Sequence, residues 1–415
     1  MCAQSLQLNP KLRSVESQTL EDGLRQRIVG QNEAVQAVVD LDQVFCAGMS
    51  LSRRPLGNLL FLGPTGAGKT RVVEAAAEVL FGDAQAVIKV DCAEFQHSHE
   101  IAKLIGSPPG YIGHRETQPM ITQEALDQHH NEKIKISFLL FDEIEKASES
   151  LWQLLLGMLD KATLTLGDNR RVDLSRTMIF MTSNLGGREI ADLMTNRLGF
   201  ASTVRSDPQY RMNEKVERTA SEAARRKFAP EFMNRIDKLV VFHPLRVEQL
   251  QRILDIELQI IQQRVLEAAI VKFVFQLTQE ARTFLLSEGT NMAYGARHLK
   301  RTIERHVVCP LARLVATDQV QFGDVISIDW EGTGSELQFE KKAQGAQLDV
   351  ASLTELTTEV TSASFEGHAP SVFASKATVT ENAAMEKTRG SVRMDAQRGG
   401  MKQEISTRKS SGSGR

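Results

Sequence analysis

Short runs of consecutive apolar residues alternate with longer stretches of helical spacing through the first half of the chain. Asn58-Leu-Leu-Phe-Leu62 is such a run, and Gly63-Pro64 stops it. A short run without polar interruptions reads as a strand covered on both faces, since a strand with one wet face would alternate. Residues 86–91, 136–141 and 178–182 read the same way, while 69–81 and 151–159 carry apolar side chains at helical intervals. Strands and helices in alternation predict an α/β fold, a parallel sheet between layers of helices.

The pattern changes after about residue 245. Residues 247–269 and 279–286 have helical spacing, Gly295 opens a long helix to 317, and 324–330 closes the region as a strand. This predicts a second, smaller and mostly helical domain. The resulting division is a helical lead-in over 1–27, a large domain over 28–245, a small lid domain over 246–335, and a tail over 341–415. The tail is rich in Ser, Thr, Ala and Gly, with Phe365 and Phe373 as its aromatics. Such a composition buries too little apolar surface to offset its ordering entropy, so disorder is expected there, with a transient helix at 353–360.

Composition narrows the function classes. No run approaches the ~18 apolar residues of a membrane span. Residues 1–11 lack the apolar core of a secretion signal. Cys2, Cys46, Cys92 and Cys309 lie far apart, without a disulfide or zinc spacing. A cytoplasmic protein with no membrane association is the expectation. With 50 Lys and Arg against 52 Asp and Glu, the net charge is −2, which disfavours nucleic acid as a partner held by bulk electrostatics.

The candidate chemistry starts at Gly63-Pro64-Thr65-Gly66-Ala67-Gly68-Lys69-Thr70, which follows a strand and opens a helix. Glycines let the backbone wrap a phosphate, so that N–H groups and a helix N-terminus face its oxygens. Lys69 supplies charge for the β- and γ-phosphates, and the Thr70 hydroxyl suits Mg2+. Phe138-Leu-Leu-Phe-Asp142-Glu143 ends another strand in two carboxylates. Asp142 suits the magnesium shell and Glu143 the activation of water. Together the two motifs predict an NTPase that uses Mg2+.

Further motifs stand in order around these. They are Ile28-Val29-Gly30-Gln31, Gly106-Ser-Pro-Pro-Gly-Tyr111-Ile-Gly113, Phe141-Asp-Glu-Ile-Glu-Lys-Ala147, Met181-Thr-Ser-Asn184-Leu-Gly186, Phe228-Ala-Pro-Glu-Phe-Met-Asn-Arg235-Ile-Asp237 and Gly295-Ala-Arg297. Over about residues 20–330 the chain resembles the C-terminal ATPase module of the Clp unfoldases and disaggregases, in the AAA+ superfamily. That resemblance implies roles for single residues. Asn184 is similar to the sensor-1 residue that orients water, and Arg235 to the arginine finger offered to a neighbouring subunit. Arg297 is similar to sensor 2 on the lid, and Ile28 and Val29 to the apolar wall beside adenine. Tyr111 is similar to the pore-loop aromatic that grips a polypeptide.

The same resemblance implies an ATPase that takes ATP with Mg2+, and a homo-hexameric ring that remodels or unfolds protein substrates. Leu198-Gly199-Phe200 resembles the loop by which some Clp ATPases dock on a peptidase. The chain departs from the family at His114-Arg115-Glu116-Thr117-Gln118 and in a polar insert around His129-His130, expected to be a solvated loop. Against such relatives there is no room for an N-terminal substrate domain or a first ATPase module. This implies either a stand-alone ring or recognition moved into the tail. The alternative reading is an ATP-controlled switch that changes a partner's state without threading it.

Overall fold

The computed structural model describes residues 9, 12–51, 53–108, 110, 118–187, 189–190, 208–291 and 295–343. The large domain holds strands β1 (Gly57–Leu62), β2 (Ile88–Asp91), β3 (Ser137–Asp142), β4 (Thr163–Thr165), β5 (Arg171–Asp173), β6 (Thr177–Ser183) and β7 (Lys238–Val241). Five of them form one sheet in the order β2-β3-β6-β1-β7, and every neighbouring pair is parallel. β4 and β5 make a separate antiparallel pair. The sheet is the expected one with a fifth strand, β7, added on the far side of β1.

Side chains leave each central strand alternately for two cores. Leu59, Phe61, Phe138, Leu140, Met178 and Phe180 face one, under helices α1 (Val15–Arg27), α2 (Asn32–Cys46) and α3 (Lys69–Phe81). Leu60, Leu62, Leu139, Phe141, Ile179 and Met181 face the other, under the helix Glu149–Lys161. Both faces are dry, which is why the strands read as continuous apolar runs. Ala75, Ala76 and Ala77 are fully buried, so α3 packs closely on the sheet. The lead-in helix α1 belongs to this core, since Leu20 and Leu24 are buried and Ser17 Oγ donates to Asp42 Oδ2 at 2.9 Å.

The small domain contains the helices Val247–Ala268 and Gln279–Gly289, then a helical run from Ala296 to Ala316. That run widens to π geometry over Glu304–Val308. Pro310 lacks an N–H and crowds the carbonyl four residues back, and the wider turn accommodates it. Strands β8 (Val274–Leu277), β9 (Val325–Asp329) and β10 (Gln338–Ala343) form a three-stranded sheet. The lid therefore carries more strand than expected and continues past 335, into the first residues assigned above to the tail. Lys341 Nζ reaches the buried Asp324 Oδ2 at 2.7 Å and ties β10 down. The rest of the tail and the segment 353–360 lie outside the described residues.

His130 departs from the expected solvated loop. Its side chain is only 15% exposed, and Nε2 lies 2.9 Å from Ser137 Oγ, at the start of β3. Among the described residues, no helix is long and apolar enough to cross a membrane. Cys46, Cys92 and Cys309 are free thiols.

Candidate nucleotide site

Ligands of open parallel sheets bind beyond the carboxyl ends of the strands, and here β1, β3 and β6 end side by side. β1 runs directly into the glycine loop. Gly63 has φ of +141°, and a Cβ there would meet Phe242 O at 2.5 Å, so only glycine fits. Gly66 and Gly68 also have positive φ, and Lys69 opens α3. The loop and helix start form one wall of a cleft of about 340 Å3.

Lys69 Nζ is buried and donates to Gly63 O at 2.7 Å, Pro64 O at 3.0 Å and Asn184 Oδ1 at 2.7 Å. Burial pulls its pKa down to about 8, against the upward pull of Glu145, Asp142 and Glu143; Arg297 pushes further downward. Asn184 stands just past the end of β6, and its Nδ2 donates to Glu143 Oε1 at 3.2 Å. One amide thus spans the candidate phosphate-binding cation and the candidate general base. Glu143 has a left-handed backbone, φ 56° and ψ 47°, and its N–H donates to Thr182 Oγ1 at 3.2 Å. Thr182 Oγ1 also donates to Asp142 Oδ1, and Lys146 pairs with Glu143.

Asp142 Oδ2 faces the Thr70 hydroxyl at 3.4 Å, with Lys89 Nζ 3.5 Å from the same oxygen. A carboxylate and a hydroxyl so close offer hard oxygen donors and leave the remaining positions to water and phosphate. That donor set fits Mg2+.

The opposite wall comes from the lid. Ile28 and Val29 line the cleft with Leu245, Ile253 and Ile256, a set of apolar side chains suited to a base. Arg297 and Lys300 project from the lid helix, and Lys300 Nζ pairs with Glu257 Oε1 at 2.7 Å. The N–H of Ala296 donates to Gly66 O at 3.1 Å, so this helix rests its first turn on the glycine loop. Gln31 joins the parts: Nε2 donates to Ala67 O at 3.1 Å and His243 O at 2.9 Å.

Residues 54–239 match the family described as AAA domain (Cdc48 subfamily), and residues 245–328 the C-terminal, D2-small domain of ClpB protein. The chain thus carries an AAA domain followed by a Clp-type small domain. It is 38% identical over 332 residues to the chaperone protein ClpB of Bdellovibrio bacteriovorus, covering 79% of this chain and 36% of that protein. It is likewise 38% identical over 309 residues to the chaperone protein ClpB of Brucella suis biovar 1, covering 74% and 33%. Among solved structures it is similar to the closed-state cryo-EM reconstruction of Hsp104 with ATPγS and FITC-casein (TM-score 0.63, 31% identity, 80% of this chain, 53% of that one). A second is the S. cerevisiae Hsp104–casein complex in its extended conformation (TM-score 0.65, 30% identity, 79% and 53%). The chain spans about a third of the length of the ClpB relatives.

Within this Clp-type site the structure brings together Ile28, Val29, the residues of the glycine loop, Asp142, Glu143, Asn184 and Arg297. It does not bring in Arg235. That guanidinium donates to Glu231 O at 2.8 Å and pairs with Glu231 Oε1 at 3.2 Å, outside the described lining of its own cleft. Its segment is anchored by Phe228 and Phe232, which pack around Trp152. Tyr111, residues 114–117 and Leu198-Gly199-Phe200 lie outside the described residues.

Sequence reasoning missed Thr182, Gln31, Leu245 at the domain boundary and the lid residues Ile253 and Ile256. Thr182 and Gln31 sit inside the motifs Met181-Thr-Ser-Asn184 and Ile28-Val-Gly-Gln31, and a polar residue within each motif was the available signal. The lid residues had none, because a cleft-facing isoleucine on an amphipathic helix reads like a core one.

Proposed function

We propose that this chain hydrolyses ATP with Mg2+ and uses the energy to remodel or unfold protein substrates as a homo-hexameric ring in the cytoplasm. The observation that carries the hydrolytic part is the Lys69–Asn184–Glu143 relay. Lys69 and the glycine-loop N–H groups bind the β- and γ-phosphates. Asn184 holds the attacking water between the γ-phosphate and Glu143, whose carboxylate takes the water proton as the new P–O bond forms and ADP leaves. Thr70 and Asp142 would hold Mg2+, which neutralises phosphate charge when bound. Arg297 closes the lid over the phosphates, and Arg235 serves the neighbouring subunit's nucleotide from outside its own cleft. A planar, permanently charged guanidinium suits the transferred phosphoryl group.

Two features support the remodelling part. The relatives are named as chaperones, and the Hsp104 structures contain casein. In the sequence Tyr111 lies between Gly110 and Gly113, and an aromatic side chain suits the gripping of a polypeptide. No peptidase partner enters the proposal. The test is a Glu143→Gln variant, expected to bind ATP and assemble while turnover falls at least a hundredfold; turnover at the normal rate would remove Glu143 from its role. Tyr111→Ala is expected to keep ATPase activity and lose unfolding of a tagged reporter. Unfolding that survives it would discard threading in favour of an ATP-controlled switch.

A further inference from the structure

The parallel ladder between β3 and β6 ends with the pairing of Phe141 and Met181. Beyond it the main-chain N–H of Asn184 has no strand to donate to, yet the side chain of Asn184 must stay in register with both Lys69 and Glu143. A carboxylate substitutes for the missing strand. Glu145 lies in the tight turn Ile144–Lys146, which follows the left-handed Glu143. Its Oε1 accepts from Asn184 N at 3.2 Å. Its other oxygen, Oε2, is shielded from solvent and has no hydrogen-bond partner among the described residues. An ordinary surface acid would have turned both oxygens to water, so the inward placement needs a reason.

We propose that Glu145 is a positioning residue of the hydrolytic site, which fixes the backbone of Asn184 and thereby the amide that bridges Lys69 to Glu143. The proposal rests on the ATPase reading above. Its physical basis is the short reach of the amide. Asn184 makes hydrogen bonds at both ends of its side chain, at 2.7 and 3.2 Å, and a shift of its Cα by about an ångström breaks one of them. Glu145 touches neither phosphate nor water in this scheme. Its effect passes through Asn184 and belongs to the chemical step more than to nucleotide binding.

The test compares Glu145→Ala, Glu145→Gln, Asn184→Ala and the double Ala variant in the full chain. ATP turnover and binding of a fluorescent ADP are read in parallel. Glu145→Ala is expected to lower kcat by 10- to 100-fold with KM for ATP within about fivefold. Glu145→Gln keeps an acceptor oxygen at the same reach and is expected to retain at least about a third of kcat. The double variant is expected to be no slower than Asn184→Ala alone, because both changes remove one function. Should Glu145→Ala fail to fold, Glu145→Asp replaces it, since its shorter side chain draws the acceptor away and predicts the same loss. Wild-type kcat in Glu145→Ala, a Gln variant as slow as Ala, or fully additive losses would each overturn the proposal. Absence of turnover in the unmutated chain would instead overturn the ATPase reading.

Discussion

The two walls of the cleft are held by different kinds of contact. On the phosphate wall, Lys69, Asn184, Glu143, Thr182 and Asp142 are linked by side-chain hydrogen bonds at the ends of buried strands. On the lid wall, Arg297 and Lys300 ride a helix that meets the glycine loop through the Ala296–Gly66 backbone bond and close packing at Gly295. The first arrangement ties these groups directly to one another, as a water attack requires. The second leaves a wall able to separate without breaking the network opposite, as a turnover cycle with lid opening requires. On the proposed function, chemistry and motion thus fall to different elements that share one cavity.

The largest effect is expected on the phosphate wall. Lys69→Met removes the buried ammonium, and nucleotide affinity should fall at least about a hundredfold, since a charge in such a site contributes several kcal/mol. Titration of fluorescent ADP checks this. A loss of only twofold would mean that the glycine loop alone holds the phosphates, and the contrast between the walls would weaken.

A next, smaller effect tests the lid contact. Gly295 has φ of +50°, and a Cβ there would lie 2.8 Å from Gly66 O. Gly295→Val should push the helix off the loop and weaken nucleotide binding roughly tenfold, about 1.4 kcal/mol. Circular dichroism should show both domains still folded. Unchanged affinity would show that docking of the lid on the loop plays no part in binding.

The phosphate wall also has a pH signature. Lys69 titrates at about 8 in the folded chain, because burial disfavours its charge, against 10.5 for an ordinary lysine. Between those values the unfolded chain holds a proton that the folded chain has lost, so this group makes stability rise with pH across the window. Below about 8 lysine is charged in both states and its desolvation cost is fully felt. Urea unfolding without nucleotide, at pH 7 and 9.5, should show the unmutated chain gaining on Lys69→Met. Nucleotide affinity should move oppositely and weaken above about 8, because phosphate needs the charged form.

The same contrast governs what was legible in the sequence. The phosphate wall is built where strands end in loops, and glycines, an acid pair and an asparagine at strand ends are visible as departures from apolar runs. Thus β1, β3, β6 and α3 fell within two residues of their expected limits. β7 escaped because Lys238-Leu-Val-Val is short and starts on a charge, so only its pairing with β1 identifies it. In the lid, β9 lies within the expected strand at 324–330, whereas β8 escaped for a related reason: it is four residues long and sits between two helices. Cleft-facing and core-facing apolar residues on the Val247–Ala268 helix follow the same spacing, so Ile253 and Ile256 could not be told from Leu254. Glu145 was hidden within a run of acids, since a carboxylate's direction depends on the turn beneath it. His130 looked solvated because its partner Ser137 lies seven residues away, inside the sheet.

The smallest expected effect is the sharpest check on the division between the walls. Lys300 lines the cleft one helical turn beyond Arg297, and an ammonium near phosphates invites a binding role. Its geometry argues otherwise. Lys300 Nζ is engaged by Glu257 Oε1 at 2.7 Å, and its side chain is about half exposed (49%). Its charge is therefore offset by a neighbour and screened by water, conditions in which an ion pair contributes little. Lys300→Ala should change nucleotide affinity and kcat by no more than about threefold, against at least about a hundredfold in affinity for Lys69→Met. The two lysines have the same chemistry and line the same cavity, and burial with a shared hydrogen-bond network separates them. A hundredfold loss in Lys300→Ala would show that the closed lid desolvates this ammonium onto the nucleotide. The lid would then be a second chemical wall, and motion and catalysis would no longer be divided between the two sides.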